Sequence, residues 1–233
     1  MRKTFFRFLF YAVCMAAVAY SMLYLSRGDA LWLDVQVGSK VTSEFSPVEQ
    51  LQHACLLACA CIFLWIASRD RLRRPMAIGW TALFSMFLIR ELDFVFDLYL
   101  VDNLWQVGFA IVLAFTLAYL VIQRERFALG WRRSWPSAGL GILLAGILLL
   151  IPYTQILVSN QLWGEVMDDR YVLAAKAAAE EFMELGAYLI MLTGSVEFLY
   201  SWSRLPQTRL LGALPKQRDK DRRKKSRNKK RRN

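Results

Sequence analysis

One histidine, four cysteines and no established catalytic motif set the first limits on what this chain does. The cysteines lie in apolar stretches rather than in polar loops where an oxidising compartment could pair them, so no disulfide framework is expected. The sequence has no Walker loop, Gly-x-Ser-x-Gly elbow, His-Glu-x-x-His pair or dinucleotide fingerprint. The enzyme classes marked by those motifs are therefore not indicated.

Charge and hydropathy divide the chain into two parts. Apolar residues make up 56% of its 233 residues and gather into long runs, which is typical of membrane proteins. Residues 204–233 hold 14 Lys or Arg against 2 Asp, whereas residues 1–203 hold 16 Lys or Arg against 17 acids. We therefore expect 204–233 to be a disordered basic tail that attracts anionic lipid headgroups. A nucleic-acid partner is not expected, and a protein partner stays open.

Six apolar stretches reach the roughly 20 residues that a membrane-spanning helix requires. They cover residues 5–25, 48–67, 76–100, 104–122, 137–158 and 173–202. The predicted fold class is thus all-α, with a six-transmembrane-helix bundle over residues 1–203 surrounded by membrane lipids and followed by the basic tail. Gly139, Gly141, Ala145 and Gly146 predict close helix packing in the fifth span, and Pro152 predicts a kink or an end there.

The distribution of Lys and Arg between spans predicts the orientation. Segments 1–7, 69–74 and 124–133 carry eleven, whereas the opposite side carries four. The positive-inside rule then puts both termini in the cytoplasm. The first span, with Lys3 before it and Ala17-Val18-Ala19 within it, also resembles a cleavable signal peptide. An uncleaved span is preferred because the apolar run continues to Leu25.

Polar side chains from three spans fall at one predicted depth, in the outer leaflet. Counting 1.5 Å per residue inward from the basic ends gives this common level for the second, third and sixth spans. The helical azimuth of 100° per residue puts one polar face on each. The predicted binding cluster comprises Glu49, His53, Arg90, Asp93, Asp97, Glu180 and Glu184. Gln50, Glu91 and Glu181 are its secondary members, because Glu91 and Glu181 point about 100° away from their neighbours' faces.

Several of these residues have simpler interpretations. Ser46-Pro47-Val48-Glu49 is a capping box with proline at the first helical position, so Glu49 could serve only to cap its own helix. Lys176 and Glu180 have the spacing of an i, i+4 ion pair. Glu197, on the inner side of the sixth span, is interpreted as an isolated structural contact.

A carboxylate-rich site with one imidazole could hold a divalent metal ion such as Mg, Mn, Fe or Zn. The metal-ligand candidates are His53, Asp93, Asp97 and Glu184. A lone histidine is more often a packed or hydrogen-bonded residue, and that alternative stays open.

Two segments resemble recurring stretches of uncharacterised bacterial multi-pass membrane proteins. They are Ile89-Arg90-Glu91-Leu92-Asp93 and the Glu-Glu-x-x-Glu segment that runs from Glu180 to Ala187. The resemblance covers most of the six-span region. It implies the bacterial inner membrane and no particular activity.

Three functions fit the sequence. The first is a transport or binding protein whose outer-leaflet acids bind a cation or protons, because many acids face one arginine. The second is a membrane-embedded, metal-dependent hydrolase or transferase acting on lipid or an envelope precursor. The third is a non-catalytic accessory protein whose polar cluster fixes helix packing or docks a partner.

Overall fold

The computed structural model describes residues 2–25, 46–93, 104–135, 137–154, 156, 159, 163 and 173–202. Every regular element within these residues is helical, which confirms the all-α prediction for this part of the chain. The helices are α1 (Arg2–Leu25), α2 (Pro47–Arg69), α3 (Arg74–Glu91), α4 (Leu104–Ile122), α5 (Arg124–Ser134), α6 (Ala138–Leu148) and α7 (Leu173–Trp202). A π-helical turn, Leu149–Tyr153, continues α6. The basic tail 204–233 lies outside the described residues.

Four of the described helices are long and apolar enough to cross a membrane. These candidate spans are Thr4–Ser21, Pro47–Arg69, Leu104–Ile122 and Ala179–Trp202. A fifth is obtained if α5 and the helix Ala138–Tyr153, which meet at 104°, form one broken span. The chain therefore has the helices of a multi-pass membrane protein, four or five in the described part where the sequence predicted six.

The third predicted span, 76–100, corresponds to a shorter helix in the described residues. The continuous α-helix α3 ends at Glu91, and the Leu92 N–H donates to the Leu88 carbonyl at 3.1 Å. Residues 94–100 lie outside the described part. The end of α3 thus falls beside the predicted polar cluster, which leaves carbonyl groups of its last turn in need of donors.

The basic segment 124–133, which the sequence assigned to no span, forms most of the short helix α5. Phe127 and Trp131 pack against the core, and Gly130 and Ser134 are buried. The inward-facing residues of α5 are therefore spaced three or four positions apart, as on one face of a helix. The search for apolar runs of about 20 residues passed over this helix because its other positions are rich in arginine.

The core lies where α2, α3 and α7 meet. The Phe63 ring of α2 stacks on Trp80 and Phe84 of α3, with ring centroids 5.7 and 5.9 Å away, and on Phe198 of α7 at 5.4 Å. In contrast, α4 has no buried residue. The helix α4 therefore lies outside this core.

Close backbone approach joins α6 to α7 through glycines on both helices. A Cβ atom on Gly194 would lie 2.8 Å from the Leu143 nitrogen and 3.0 Å from the Gly139 oxygen. Gly146 also faces α7, whereas a Cβ atom on Gly141 would meet no atom of another described helix within 4 Å. The predicted packing role is confirmed for Gly139 and Gly146. It does not extend to Gly141.

The disturbance predicted at Pro152 takes the form of the π-helical turn. Proline has no N–H and its ring collides with the carbonyl four residues earlier, so the α-helical hydrogen bonding cannot continue unchanged through it. The wider turn Leu149–Tyr153 accommodates the ring. The Thr154 hydroxyl then donates to the Leu150 carbonyl.

Candidate functional site

A group of polar side chains connects α2, α3 and α7 at the end of these helices away from the basic turn 69–74. We call it the polar cluster. Its members are Gln52, His53, Arg90, Glu91, Glu181, Glu184 and Tyr188. Three carboxylates and one guanidinium therefore occupy a single helix junction.

The contacts between α3 and α7 are two side-chain hydrogen bonds. Arg90 Nη2 donates to Glu184 Oε1 at 3.2 Å, and the Tyr188 hydroxyl donates to Glu91 Oε1 at 2.6 Å. Arg90 Nη1 also lies 3.9 Å from Glu91 Oε1. Arg90 thus lies beside two acids, one on its own helix and one on α7.

The helix α2 contributes two hydrogen-bond donors to the cluster, the amide of Gln52 and the imidazole of His53. Gln52 Nε2 donates to the Glu181 backbone oxygen at 3.1 Å and to Glu181 Oε2 at 3.0 Å. His53 Nε2 lies 3.2 Å from the Glu91 backbone oxygen. A carbonyl oxygen can only accept, so this contact requires a proton on His53 Nε2. His53 therefore satisfies a carbonyl at the C-terminal end of α3.

Burial differs sharply among the charged members. The side chains of Glu184 and Glu91 are 6% and 12% exposed, whereas that of Arg90 is 43% exposed. Gln52 is fully buried, and its Oε1 atom has no hydrogen-bond partner among the described residues. The acids thus lie on the inner side of the cluster, and the guanidinium forms its accessible edge.

The structure brings together only part of the predicted set. Arg90, Glu184 and His53 are members of the polar cluster, and Glu180 lies at its border, within electrostatic reach of Lys176 and Arg90. Glu91 and Glu181, which the helical azimuth assigned to the flanks, make direct contacts in its centre. A glutamate side chain is long enough to overcome an azimuthal offset of about 100°.

The remaining predicted members lie elsewhere or outside the described residues. Glu49 is buried in the first turn of α2, where its N–H donates to Ser46 Oγ at 3.2 Å, so Ser46 caps this helix. A capping role of the Glu49 carboxylate itself stays a prediction. Gln50 is exposed. Asp93 is partly exposed just beyond the end of α3, and Asp97 lies outside the described part.

Gln52 and Tyr188 belong to the cluster but were not predicted. Both are uncharged, so a search for ionisable groups inside spans passed over them. Helical spacing could have found Tyr188, because it follows Glu184 by four residues and Glu181 by seven. Gln52 could have been found as a polar residue inside a predicted span that directly precedes His53.

The predicted metal site has no counterpart among the described residues. No three His, Cys, Asp or Glu side chains there are grouped closely enough to hold a metal ion. The proton that His53 Nε2 needs for its contact with Glu91 also occupies the lone pair that a metal would use at that nitrogen. Because Asp97 lies outside the described residues, the divalent metal stays a prediction.

A second polar group secures the opposite end of the same helices. Asp70, after α2, accepts a hydrogen bond from Arg73 Nη1 at 2.7 Å and from the Trp202 indole nitrogen at 3.1 Å. Arg73 Nε donates to Ser134 Oγ at 3.1 Å. Burial alone would raise the pKa of Asp70, but the hydrogen bonds from Arg73 and Trp202 hold that pKa below its usual value. This buried pair ties the α2–α3 turn to α5 and α7.

The helix α1 is attached to α7 by a separate ion pair. Arg7 Nη2 donates to Glu197 Oε1 at 2.7 Å, and the Tyr11 hydroxyl donates to Glu197 Oε2 at 3.1 Å. Glu197 is buried, so its charge is offset by Arg7. The prediction of a structural contact at Glu197 agrees with this arrangement.

The span-length helices are those of a multi-pass membrane protein, and three of the described helices meet at a polar junction. The chain matches no protein-family model, no curated protein and no solved structure. Its function must therefore be inferred from the chemistry of the junction itself.

Proposed function

We propose that this chain is a polytopic protein of the bacterial inner membrane that binds protons or a cation at the polar cluster, in a transport or binding role. The observation that carries the proposal is an excess of acid at the helix junction, where Glu184 is buried and Glu91 and Glu181 are partly buried. Glu91, Glu181 and Glu184 share one guanidinium, that of Arg90, among the described members of the cluster.

The free energy of burying charge supports this reading. An unpaired charge within a membrane-spanning segment costs about a few kcal/mol, and less near the edge of the bilayer. Arg90 can offset one of three carboxylates. Protons on the other carboxyl groups, or a bound cation, would remove the remaining excess of two negative charges. The half-exposed Arg90 side chain leaves an open edge through which a small ion could enter.

The hydrogen-bond donors of the cluster favour binding of protons, or of a cation that does not require a strict coordination geometry. Tyr188 donates to Glu91, and Gln52 donates to Glu181, so each of these carboxylates keeps an oriented lone pair for a further donor. An ammonium group or a protonated neighbouring carboxyl would meet this need. The oxygen of Gln52, which has no partner among the described residues, is another acceptor.

We further propose six spans, with both termini in the cytoplasm. Four residues, 70–73, separate the end of α2 from the start of α3, so α3 begins on the membrane side where α2 ends. Since α3 packs against both α2 and α4, which have span length, a return crossing through α3 is the simplest path of the chain. The eleven Lys and Arg of the short basic segments support a cytoplasmic location for that side. The polar cluster would then open in the outer leaflet.

Thermal unfolding of the purified full-length protein in detergent tests the proposed binding. We expect the midpoint to depend on pH or on one added cation, compared with N-methylglucamine at the same ionic strength. Glu184→Gln should remove most of that dependence, and Glu125→Gln, an exposed acid on α5, should keep it. No dependence in the wild-type protein, or equal dependence in both variants, would overturn the proposal.

A packing role is the second candidate, and a specific observation favours it. The hydrogen bonds Tyr188 to Glu91, Arg90 to Glu184 and Gln52 to Glu181 connect all three helices of the junction. If the cluster only fixes packing, Glu184→Gln should change stability equally under every ionic condition. The same set of melting curves therefore separates an accessory role from ion binding.

A further inference from the structure

A basic cavity of about 570 Å³ lies at the other end of the fold from the polar cluster. The α2–α3 turn, the start of α3, the end of α4 and the first turn of α5 form its walls. Its lining residues are Arg71, Arg74, Pro75, Tyr119, Gln123 and Arg126. The volume falls within the range of about 300–1,000 Å³ that is usual for ligand pockets.

The lining of the cavity is positively charged, because it contains three arginines and no acidic residue. None of the arginines Arg71, Arg74 and Arg126 forms a salt bridge with a carboxylate of the described residues. The adjacent Arg73 differs, because Asp70 accepts from it at 2.7 Å. Three guanidinium groups thus line one cavity, and no carboxylate of the described residues pairs with them. Such a cavity can bind an anion that comes from outside the protein.

The geometry of the lining suits a phosphate group. Arg74 Nε donates to the Ala67 carbonyl at 2.9 Å, which anchors this guanidinium at the cavity wall. Guanidinium groups offer paired N–H donors that match phosphate oxygens, and the side chains of Tyr119 and Gln123 add neutral donors. A phosphate could thus replace water around the arginines with directed hydrogen bonds.

The cavity lies at the depth in the membrane where lipid headgroups are expected. Tyr119 and Gln123 lie at the end of the candidate span Leu104–Ile122, and Arg74 begins α3. Basic pockets between membrane helices on the cytoplasmic side are known binding places for phosphate-bearing lipid headgroups. The cavity lies on the side that carries the basic turn 69–74.

We propose that this cavity binds a phosphate group, presented either by an anionic phospholipid headgroup or by a free phosphate ion. None of its lining residues belongs to the basic tail or to the polar cluster. Binding there does not depend on the function proposed for that cluster.

Binding to the full-length protein in neutral detergent tests the proposal. The probes are short-chain phosphatidylglycerol, the corresponding phosphate-free diacylglycerol, inorganic phosphate, and chloride at matched ionic strength. Saturable stabilisation by phosphatidylglycerol alone would identify the lipid headgroup as the source. Saturable stabilisation by inorganic phosphate would identify the free ion.

Two charge-matched double variants control for general electrostatic attraction, including that of the tail. Arg71→Gln with Arg126→Gln removes two exposed arginines of the cavity, and should weaken binding of the effective probe by about tenfold or more. Arg124→Gln with Arg132→Gln removes two exposed arginines of α5 outside the lining, and should change binding by less than about twofold. Melting curves without probe check that both variants fold.

Two outcomes would overturn the proposal. One is equal weakening in the two double variants, which would assign the attraction to the general basic surface. The other is the absence of saturable binding for both phosphatidylglycerol and inorganic phosphate to the wild-type protein.

Discussion

Replacing Arg90 with glutamine is the sharpest perturbation of the polar cluster, because it removes the guanidinium charge and leaves a shorter, neutral polar side chain. The substitution leaves Glu184 and Glu91, which are 6% and 12% exposed, without the charge that now lies 3.2 and 3.9 Å from their oxygens. Breaking a fully buried ion pair costs about 3–5 kcal/mol, whereas an exposed pair contributes about 0–1 kcal/mol. With Arg90 43% exposed, we expect a loss of about 2 kcal/mol in the free energy of unfolding.

A double-mutant cycle isolates the part of this loss that belongs to the pair. Glu184→Gln removes one of the competing acids, so the double variant Arg90→Gln/Glu184→Gln should recover about 1–2 kcal/mol relative to the sum of the single effects. Reversible unfolding by denaturant in detergent measures each free energy. Arg90→Gln combined with Glu125→Gln is the control and should be additive. Additivity within about 0.5 kcal/mol for Arg90 and Glu184 would refute an energetic coupling between them.

Three further predictions concern the contact between α6 and α7, the hydrogen bond of Tyr188 and the contact of Asp70 with Arg73. Gly194→Ala should destabilise the protein by about 1–3 kcal/mol, because the new Cβ would lie 2.8 Å from a backbone nitrogen of α6, whereas Gly141→Ala should be tolerated; thermal unfolding compares them. Tyr188→Phe should cost about 1.5–3 kcal/mol, measured by denaturant unfolding, because buried Glu91 loses a hydroxyl donor at 2.6 Å. Asp70 has a folded-state pKa below the usual 3.8, so its stabilising contribution is present above that pH and is lost as the pH falls through the folded-state pKa. Asp70→Asn should flatten this acid limb of a stability–pH profile, and an unchanged acid limb would count against the Asp70–Arg73 contact.

The ends of most long helices could be predicted because local chemistry determines them. The run 104–122 corresponds to Leu104–Ile122, and 173–202 corresponds to Leu173–Trp202. At α2 the side-chain cap of Ser46 and the proline that follows mark the start, which lies one residue before the predicted 48. Apolar length and capping are properties of neighbouring residues, so they can be read without the fold.

The helix α5 and the approach of α6 to α7 depend on tertiary packing. Phe127 and Trp131 stabilise α5 only when the folded core provides a surface against which they can pack. Gly194 was passed over because a single glycine in a span gives no sign of which helix will approach it. Its importance follows from Gly139 lying opposite.

The candidate site was only partly predictable, for a related reason. Depth along the helices correctly brought Arg90, His53 and Glu184 to one level, because the rise per residue is fixed. Direction was less informative. The azimuth describes where a Cβ points, whereas the Glu181 carboxylate reaches Gln52 on another helix. Which acids lie at the centre of the cluster therefore depends on neutral hydrogen-bond partners on neighbouring helices.

The central claim, that buried carboxyl groups of the polar cluster bind protons or a cation, is tested most directly by infrared difference spectroscopy of the reconstituted protein. Exchange of pH or cation should produce carboxyl-group signals that disappear in Glu184→Gln and persist in Glu125→Gln. Difference spectra without carboxyl signals, or with the same signals in Glu184→Gln as in the wild-type protein, would contradict the account.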